Sequence, residues 1–148
     1  MEVQPDFRDL LVLFRKHEVE YLIVGGYALA FHGAPRFTGD IDLLVRPDAE
    51  NARRILAALA DFGFESSDLS ADDFQETEHV IQLGVPPVRI DLLTSISGVT
   101  WVEAEAGKAA GEYGDVSVYY LGREAFVANK RASGRQKDLA DLEALGEG

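Results

Sequence analysis

The stretch Phe37–Val45, FTGDIDLLV, places two aspartates at the start of an otherwise apolar run. Alternate residues of a strand face the same side, about 6.6 Å apart along its axis, so Asp40 and Asp42 are predicted to point together. Ile41 and Leu43 would then face the core. Neighbouring carboxylates disfavour each other's charge, so stability alone does not account for this pattern. A divalent cation does, because Mg²⁺ commonly binds one or two carboxylates together with substrate phosphates.

A third aspartate, Asp91 in VRIDLLT, is flanked by apolar residues as Asp42 is. If the two strands are neighbours, its carboxylate would lie about 5 Å across from the pair. Three converging carboxylates can hold two metal ions about 3.5–4 Å apart, which activate an attacking oxygen and stabilise a leaving phosphate. Asp91 could also accept the proton of an attacking hydroxyl. We therefore predict that Asp40, Asp42 and Asp91 are metal ligands and catalytic residues, with Mg²⁺ or Mn²⁺ as cofactor.

A glycine pair, Gly25-Gly26, ends a predicted buried strand just before a short helix. Glycine lets a ligand approach the backbone, and a helix N-terminus offers free N–H groups. Arg36 and Thr38 flank the Asp40–Asp42 strand on its loop, where Arg36 could contact a phosphate or the acceptor. Without the aspartates, a tight strand-to-helix turn would be the better explanation of the pair.

The composition of the chain limits the classes of protein to which it can belong. Its 148 residues suit one domain, residues 1–148. The net charge of −12 argues against a general nucleic-acid coat, which carries a basic footprint. The absence of cysteine excludes disulfides and thiolate metal sites and fits a cytoplasmic protein. The N-terminus lacks the pattern of a signal peptide, and the longest apolar run is too short to span a bilayer, so no membrane partner is expected.

The order of predicted elements favours an α/β (α+β) fold, a mixed β-sheet flanked by helices. Helical spacing covers about residues 6–17, and a helix begins at Pro47-Asp48. The segments HVIQLG and VRIDLLT predict a hairpin, and TWVEAEAGKA a helix. The acidic segment ESSDLSADDFQETEH is expected to be an exposed irregular loop. The remaining predicted strands are EYLIV, DIDLLV and DVSVYYL, followed by two C-terminal helices broken at Gly134.

Together, GGYALAFHGAPRFTGDIDLLV and RIDLLT resemble the nucleotidyltransferase superfamily with the DNA polymerase β-like fold. The tail NKRASGRQKDLADLEAL is similar to the Lys-x4-Arg-x2-Asp-x2-Asp element of the small AbiEii-like toxin branch. The resemblance runs from about Tyr21 to Leu145. One departure is Tyr27, where many members carry Ser or Thr after the glycine pair.

The resemblance implies transfer of a nucleoside monophosphate from an NTP, such as ATP, to a hydroxyl acceptor, using Mg²⁺. It also implies the nucleotidyltransferase fold, with metal at Asp40, Asp42 and Asp91. The glycines would hold the triphosphate, and the bases of the C-terminal element would contact phosphates. The predicted nucleotide-binding residues are Gly25, Gly26, Arg36, Thr38, Lys130, Arg135, Lys137 and Asp138.

Several alternatives stay open at the sequence level. Lys130 could only complement a helix dipole, and Asp138 could only cap a helix or pair with Arg135. The chain could be a non-catalytic nucleotide- or protein-binding module on the same fold, or an Mn²⁺-dependent sugar transferase. A tRNA end, a protein and a small aminoglycoside-like molecule are all open as acceptor. Partnership with an antitoxin protein and a homo-oligomer are open as well.

Overall fold

The computed structural model describes residues 3–35, 38–64, 68–85 and 88–147. Within these residues the helices are α1 Pro5–Lys16, α2 Gly25–Phe31, α3 Ala49–Phe62, α4 Trp101–Ala106, α5 Arg123–Ser133 and α6 Gln136–Ala144. The strands are β1 Tyr21–Val24, β2 Asp40–Val45, β3 Val80–Val85, β4 Val88–Leu93, β5 Ala109–Tyr113 and β6 Val116–Tyr120. A short 3-10 helix spans Ala71–Phe74.

The strands form one mixed sheet in the order β3-β4-β2-β1-β6-β5. Strand β2 runs antiparallel to β1 and parallel to β4, while β1 and β6 are parallel. The outer pairs, β3 with β4 and β5 with β6, are antiparallel hairpins. This mixed α+β architecture confirms the fold class predicted from the sequence.

The core covers the face of the sheet opposite the aspartates of β2 and extends on their own face to Leu44 and its β1 partner Leu22. Ile41 and Leu43 alternate with the two aspartates and are almost completely buried. They share one hydrophobic cluster with Phe14 of α1 and Ile55 of α3, and the two helices pack against each other. Over residues 40–43, the alternation of β2 therefore places charge on one face and buried apolar side chains on the other.

Helix α3 shows how local sequence sets an element boundary. The Asp48 side chain caps its N-terminus by accepting a hydrogen bond of 2.8 Å from the Asn51 backbone N–H. Gly63 ends it with φ of +96°, a left-handed conformation that favours glycine. The predicted start at Pro47-Asp48 is thereby confirmed.

Strand β5, Ala109–Tyr113, is the element that sequence analysis missed. Its sequence AAGEY is poor in the β-branched residues that favour strands, so local preference gives little signal. Pairing with β6 across the turn at Gly114 decides the conformation, and Tyr113 is fully buried. The acidic segment is mostly exposed where described, as expected, but it contains the 3-10 helix, whose Phe74 is buried in the core.

Candidate active site

Strands β2 and β4 bring two of the predicted carboxylates side by side. In their parallel register Asp42 lies beside Asp91, and Asp40 lies beside Arg89. All four side chains occupy the same face because they are two residues apart along each strand. The neighbouring strands that the sequence analysis required for a shared site are therefore present.

Asp91 is close enough to Asp42 to disfavour the ionised form of Asp42. Burial and then the carboxylate of Asp91 raise the pKa of Asp42 to about 6, with a smaller contribution from Asp40. The charge of Lys130 acts in the opposite direction. Asp91 is itself only 7% exposed, and its Oδ1 makes no hydrogen bond. Two partly buried carboxylates in contact repel each other when both are ionised. A shared proton or a bound cation removes that repulsion.

A cation is already present beside these carboxylates, the guanidinium of Arg89. Its Nη2 donates hydrogen bonds of 2.7 Å to Asp40 Oδ2 and 3.2 Å to Asp91 Oδ2. Its Nε lies 3.2 Å from Asp91 Oδ1 but is not aligned for a hydrogen bond. Sequence reasoning missed Arg89, although its position two residues before Asp91 places both on one face of a strand.

The oxygen donors of the site suit a hard divalent cation such as Mg²⁺ or Mn²⁺. Asp91 Oδ1 is buried and has no hydrogen-bond partner, as expected of an oxygen that would bind such an ion. Within the described residues, however, no three acidic or histidine side chains converge closely enough to form a ready metal cluster. Asp42 and Asp91 are in contact, while Arg89 donates hydrogen bonds to Asp40 and Asp91. A metal bound here would therefore meet two adjacent carboxylates and compete with Arg89 for Asp40, its shortest contact.

The absence of a side chain at Gly25 leaves room for the carboxylate of Asp42. It follows Val24, the β1 residue that pairs with Asp42, and has φ of +66°. A Cβ added to Gly25 would collide with Asp42 Oδ2. A Cβ on Gly26 would lie 3.1 Å from the Cβ of Thr38. The glycine pair thus lets the turn into α2 pass directly against the carboxylate site.

Thr38 lies at the entry to β2. Its hydroxyl donates a hydrogen bond of 3.1 Å to the Asp40 carbonyl, and the Asp40 backbone N–H lies 3.4 Å from the same hydroxyl. Thr38 therefore fixes the start of the strand that carries the two aspartates. The predicted site residue Arg36 lies outside the described residues.

The C-terminal element forms a buried ionic network between α5 and α6. Lys130 Nζ lies 3.3 Å from Asp138 Oδ1 and 3.4 Å from Asp141 Oδ2, and all three residues are buried. Arg135 Nε donates a hydrogen bond of 2.8 Å to Asp138 Oδ2, and Asp138 caps α6. Both the capping and the pairing that the sequence analysis left open are therefore observed.

This network lies near the carboxylates of the sheet, since both Lys130 and Arg135 interact electrostatically with Asp42. Lys137, the remaining base of the element, is exposed on α6. Asp141 was absent from the predicted site. It is the last aspartate of the Lys-x4-Arg-x2-Asp-x2-Asp spacing, so the motif contained the signal needed to find it.

A cleft of about 680 Å³ lies between α4 and the outer face of β5 and β6. Trp101, Lys108 and Tyr119 are among its lining residues, whereas none of the predicted site residues lines it. It is therefore separate from the carboxylates.

Among the described residues, the structure has no helix with the length and apolar character needed to cross a membrane.

Comparison with known proteins identifies a family model that matches this chain. The sequence model of a family described as "Nucleotidyl transferase AbiEii toxin, Type IV TA system" matches residues 6–107. A search of curated proteins gave no match.

Solved structures resemble the whole chain. TM1012 from Thermotoga maritima, a candidate nucleotidyltransferase, is 18% identical with a TM-score of 0.62, over 99% of this chain and 94% of that one. The lincomycin-bound lincosamide antibiotic adenylyltransferase LnuA is 16% identical with a TM-score of 0.61, over 97% and 96%. An antigenic nucleotidyltransferase-like protein from Paracoccidioides brasiliensis is 17% identical with a TM-score of 0.54, over 96% and 73%. These likenesses establish the fold.

Proposed function

The chain belongs to the AbiEii nucleotidyltransferase family, and we propose that it moves a nucleoside monophosphate from an NTP to a hydroxyl acceptor with the help of Mg²⁺ or Mn²⁺. The observation that carries the proposal is the contact between Asp42 and Asp91 on adjacent parallel strands, with Gly25 packed against Asp42. Structural stability does not explain two such carboxylates, whereas a reaction on a metal-bound triphosphate does.

In the proposed reaction the acceptor oxygen attacks the α-phosphorus of the NTP. The bond from the α-phosphorus to the bridging oxygen breaks, and pyrophosphate leaves. Asp91 takes the proton of the attacking hydroxyl, and a bound Mg²⁺ or Mn²⁺ supplies positive charge for the transferring phosphoryl group. Asp40 and Asp42 would hold the metal together with Asp91.

We assign the triphosphate to the backbone at Gly25-Gly26, because the turn lies against Asp42 and carries no side chains that would block it. Thr38 lies at the entry to β2, and Arg36 precedes it by two positions in the sequence. Arg135 and Lys137 are exposed bases of the C-terminal element, which suits contact with phosphates. Lys130 is bound to two buried aspartates, so we propose that it acts on the site through its charge near Asp42.

The acceptor is a separate part of the proposal. The matching family is described as a type IV toxin, and the structural neighbour LnuA is a lincosamide antibiotic adenylyltransferase with lincomycin bound. The charge of −12 disfavours extended contact with an RNA backbone outside a local basic patch. A small molecule is therefore the acceptor class we favour over tRNA or protein. An NTP donor fits a cytoplasmic location.

Transfer of label tests the function. The protein would be incubated with each α-³²P-labelled NTP, Mg²⁺ or Mn²⁺, and whole-cell extract separated into small-molecule, RNA and protein fractions. Asp42→Asn is the inactive control, and Glu143→Gln, an exposed acid on α6, is the matched control. We expect label in one fraction with the wild type and Glu143→Gln but not with Asp42→Asn. Equal labelling by Asp42→Asn would exclude the assigned site.

A non-catalytic binding module on the same fold is the second candidate. Two observations favour it. The Tyr27 ring packs edge-on against Phe7 and Tyr113, at the position where the resemblance leads us to expect a Ser or Thr. Within the described residues, moreover, no ready three-carboxylate cluster is present. This candidate predicts NTP binding with no labelled product from any NTP.

A further inference from the structure

The guanidinium of Arg89 contacts two of the three carboxylates assigned to metal binding, those of Asp40 and Asp91. Its Nη2 is hydrogen-bonded to Asp40 and Asp91, and its Nε is 3.2 Å from Asp91 Oδ1. The Arg89 side chain is 31% exposed and that of Asp40 is 34% exposed, so this pair lies at the mouth of the site. Asp91 is buried beneath them.

The contacts of Arg89 explain why the three aspartates do not converge into one metal-binding cluster. Asp42 and Asp91 already touch, and Asp40 is on the same face, two residue pairs along the ladder. Asp40 Oδ2 is bound by Arg89 at 2.7 Å, the shortest of the arginine's contacts with the two aspartates. Among the described residues, three acidic groups do not converge, although three are available.

We propose that Arg89 is an internal counter-cation that a divalent metal must displace from Asp40. Without metal, its single positive charge offsets the repulsion among Asp40, Asp42 and Asp91. When metal binds, Asp40 must exchange its hydrogen bond with Arg89 for the metal, so Arg89 sets the metal concentration at which the third ligand joins. The inference rests on the metal of the proposed function.

The proposal predicts that loss of the Arg89 charge lowers the stability of the metal-free protein and raises its affinity for metal. Removing the charge of Arg89 leaves the three carboxylates without a neighbouring positive charge. Their mutual repulsion then lowers the stability of the protein in the absence of metal. The same change removes a competing cation and its repulsion of the metal, which raises metal affinity. A residue that merely supports the fold would lower stability with no gain in affinity.

Arg89→Gln is the decisive variant, because it keeps a polar side chain and removes the charge. Arg8→Gln is the matched control, since Arg8 forms a comparable pair with exposed Asp115, with contacts of 2.7 and 2.8 Å. The Kd for Mn²⁺ alone would be measured by electron paramagnetic resonance, and the melting temperature would be measured in EDTA. We expect Arg89→Gln to bind Mn²⁺ at least threefold more tightly and to melt earlier, and Arg8→Gln to bind Mn²⁺ as the wild type does.

Equal or weaker Mn²⁺ binding by Arg89→Gln overturns the inference while leaving the proposed metal site intact. Absence of Mn²⁺ binding by the wild type overturns the inference together with the metal dependence of the proposed function. If Arg89→Gln fails to fold, the wild type still decides the matter by ¹⁵N nuclear magnetic resonance. Adding Mg²⁺ must shift the Arg89 Nε–H resonance and leave that of Arg8 in place; an unmoved Arg89 resonance under saturating Mg²⁺ contradicts displacement.

Discussion

The α-carbon of Gly25 lies so close to the carboxylate of Asp42 that no side chain fits between them. Gly25 also has φ of +66°, which L side chains rarely adopt. The glycine of the strand-to-helix turn is thus required by the aspartate itself, before any ligand is considered. The carboxylate site thus requires that position 25 has no Cβ, and the sequence meets this requirement with glycine.

Gly25→Ala is therefore expected to cost more than backbone strain alone. Gly63→Ala is the matched control, because Gly63 also has positive φ, +96°, but has open space around its α-carbon. We expect Gly63→Ala to lower the free energy of unfolding by about 1 kcal/mol and Gly25→Ala by about 2 kcal/mol or more, since Asp42 must also move. Urea unfolding measures both. Equal losses for the two variants would show that Asp42 does not restrict Gly25.

Asp42→Asn is expected to stabilise the metal-free protein. Burial and Asp91 raise the pKa of Asp42 to about 6, so the ionised form is disfavoured by folding. That cost is absent below the unfolded pKa of about 3.9 and is complete above about pH 6. In EDTA at pH 8 the variant should gain about 1–3 kcal/mol, and at pH 4 it should gain nothing.

Urea unfolding of Asp42→Asn in EDTA at the two pH values provides the check, with Glu143→Gln as an exposed control. Mg²⁺ should raise the melting temperature of the wild type and leave that of Asp42→Asn unchanged, because the ligand is gone. A loss of stability at pH 8 would contradict the assigned repulsion.

Asp138 should show the opposite dependence on pH. Burial alone would raise its pKa, but Arg135 and Lys130 hold the pKa well below the usual range. Its stabilising contribution is therefore present above about pH 4 and is lost as pH falls towards the depressed folded pKa. Asp138→Asn should cost about 3 kcal/mol or more at pH 7 and less at pH 3. A cost that is the same at both pH values would show that the charge of Asp138 is not what stabilises it.

The two lysines of the C-terminal element are expected to behave differently. Lys130→Met leaves Asp138 and Asp141 buried without their shared cation, so it should destabilise the protein by about 3 kcal/mol or more. Lys137→Met changes an exposed residue and should alter stability by less than about 0.5 kcal/mol. Thermal and urea unfolding compare the two directly. Similar stabilities for both variants would contradict the buried network.

The strong period-two signal in DIDLLV and RIDLL made β2, β4 and the shared face of their aspartates predictable from sequence. Their apolar residues fix which side faces the core, so the aspartates must face away. The same reasoning did not reveal which residue of one strand lies beside which residue of the other. The contact of Asp42 with Asp91 was therefore conditional, and Arg89 beside Asp40 was missed, because register depends on the whole sheet.

The limits of sequence reasoning have the same cause elsewhere. Strand β5 lacks local strand preference and exists through its pairing with β6. Lys130 looks like an exposed base near a helix end, yet the packing of α5 on α6 buries it between two aspartates. Local patterns identified most of the elements and the motifs, whereas the partners of each residue depended on tertiary structure.

The measurement that tests the central claim most directly compares α-³²P- and γ-³²P-labelled NTP in one reaction with Mg²⁺ and the acceptor-bearing fraction. Nucleotidyl transfer at the Asp42–Asp91 pair predicts that the product carries the α-label and lacks the γ-label, which leaves in pyrophosphate. It also predicts that Asp42→Asn and Asp91→Asn abolish the product while remaining folded. A product that carries the γ-label, or one that both variants still form, would contradict the account.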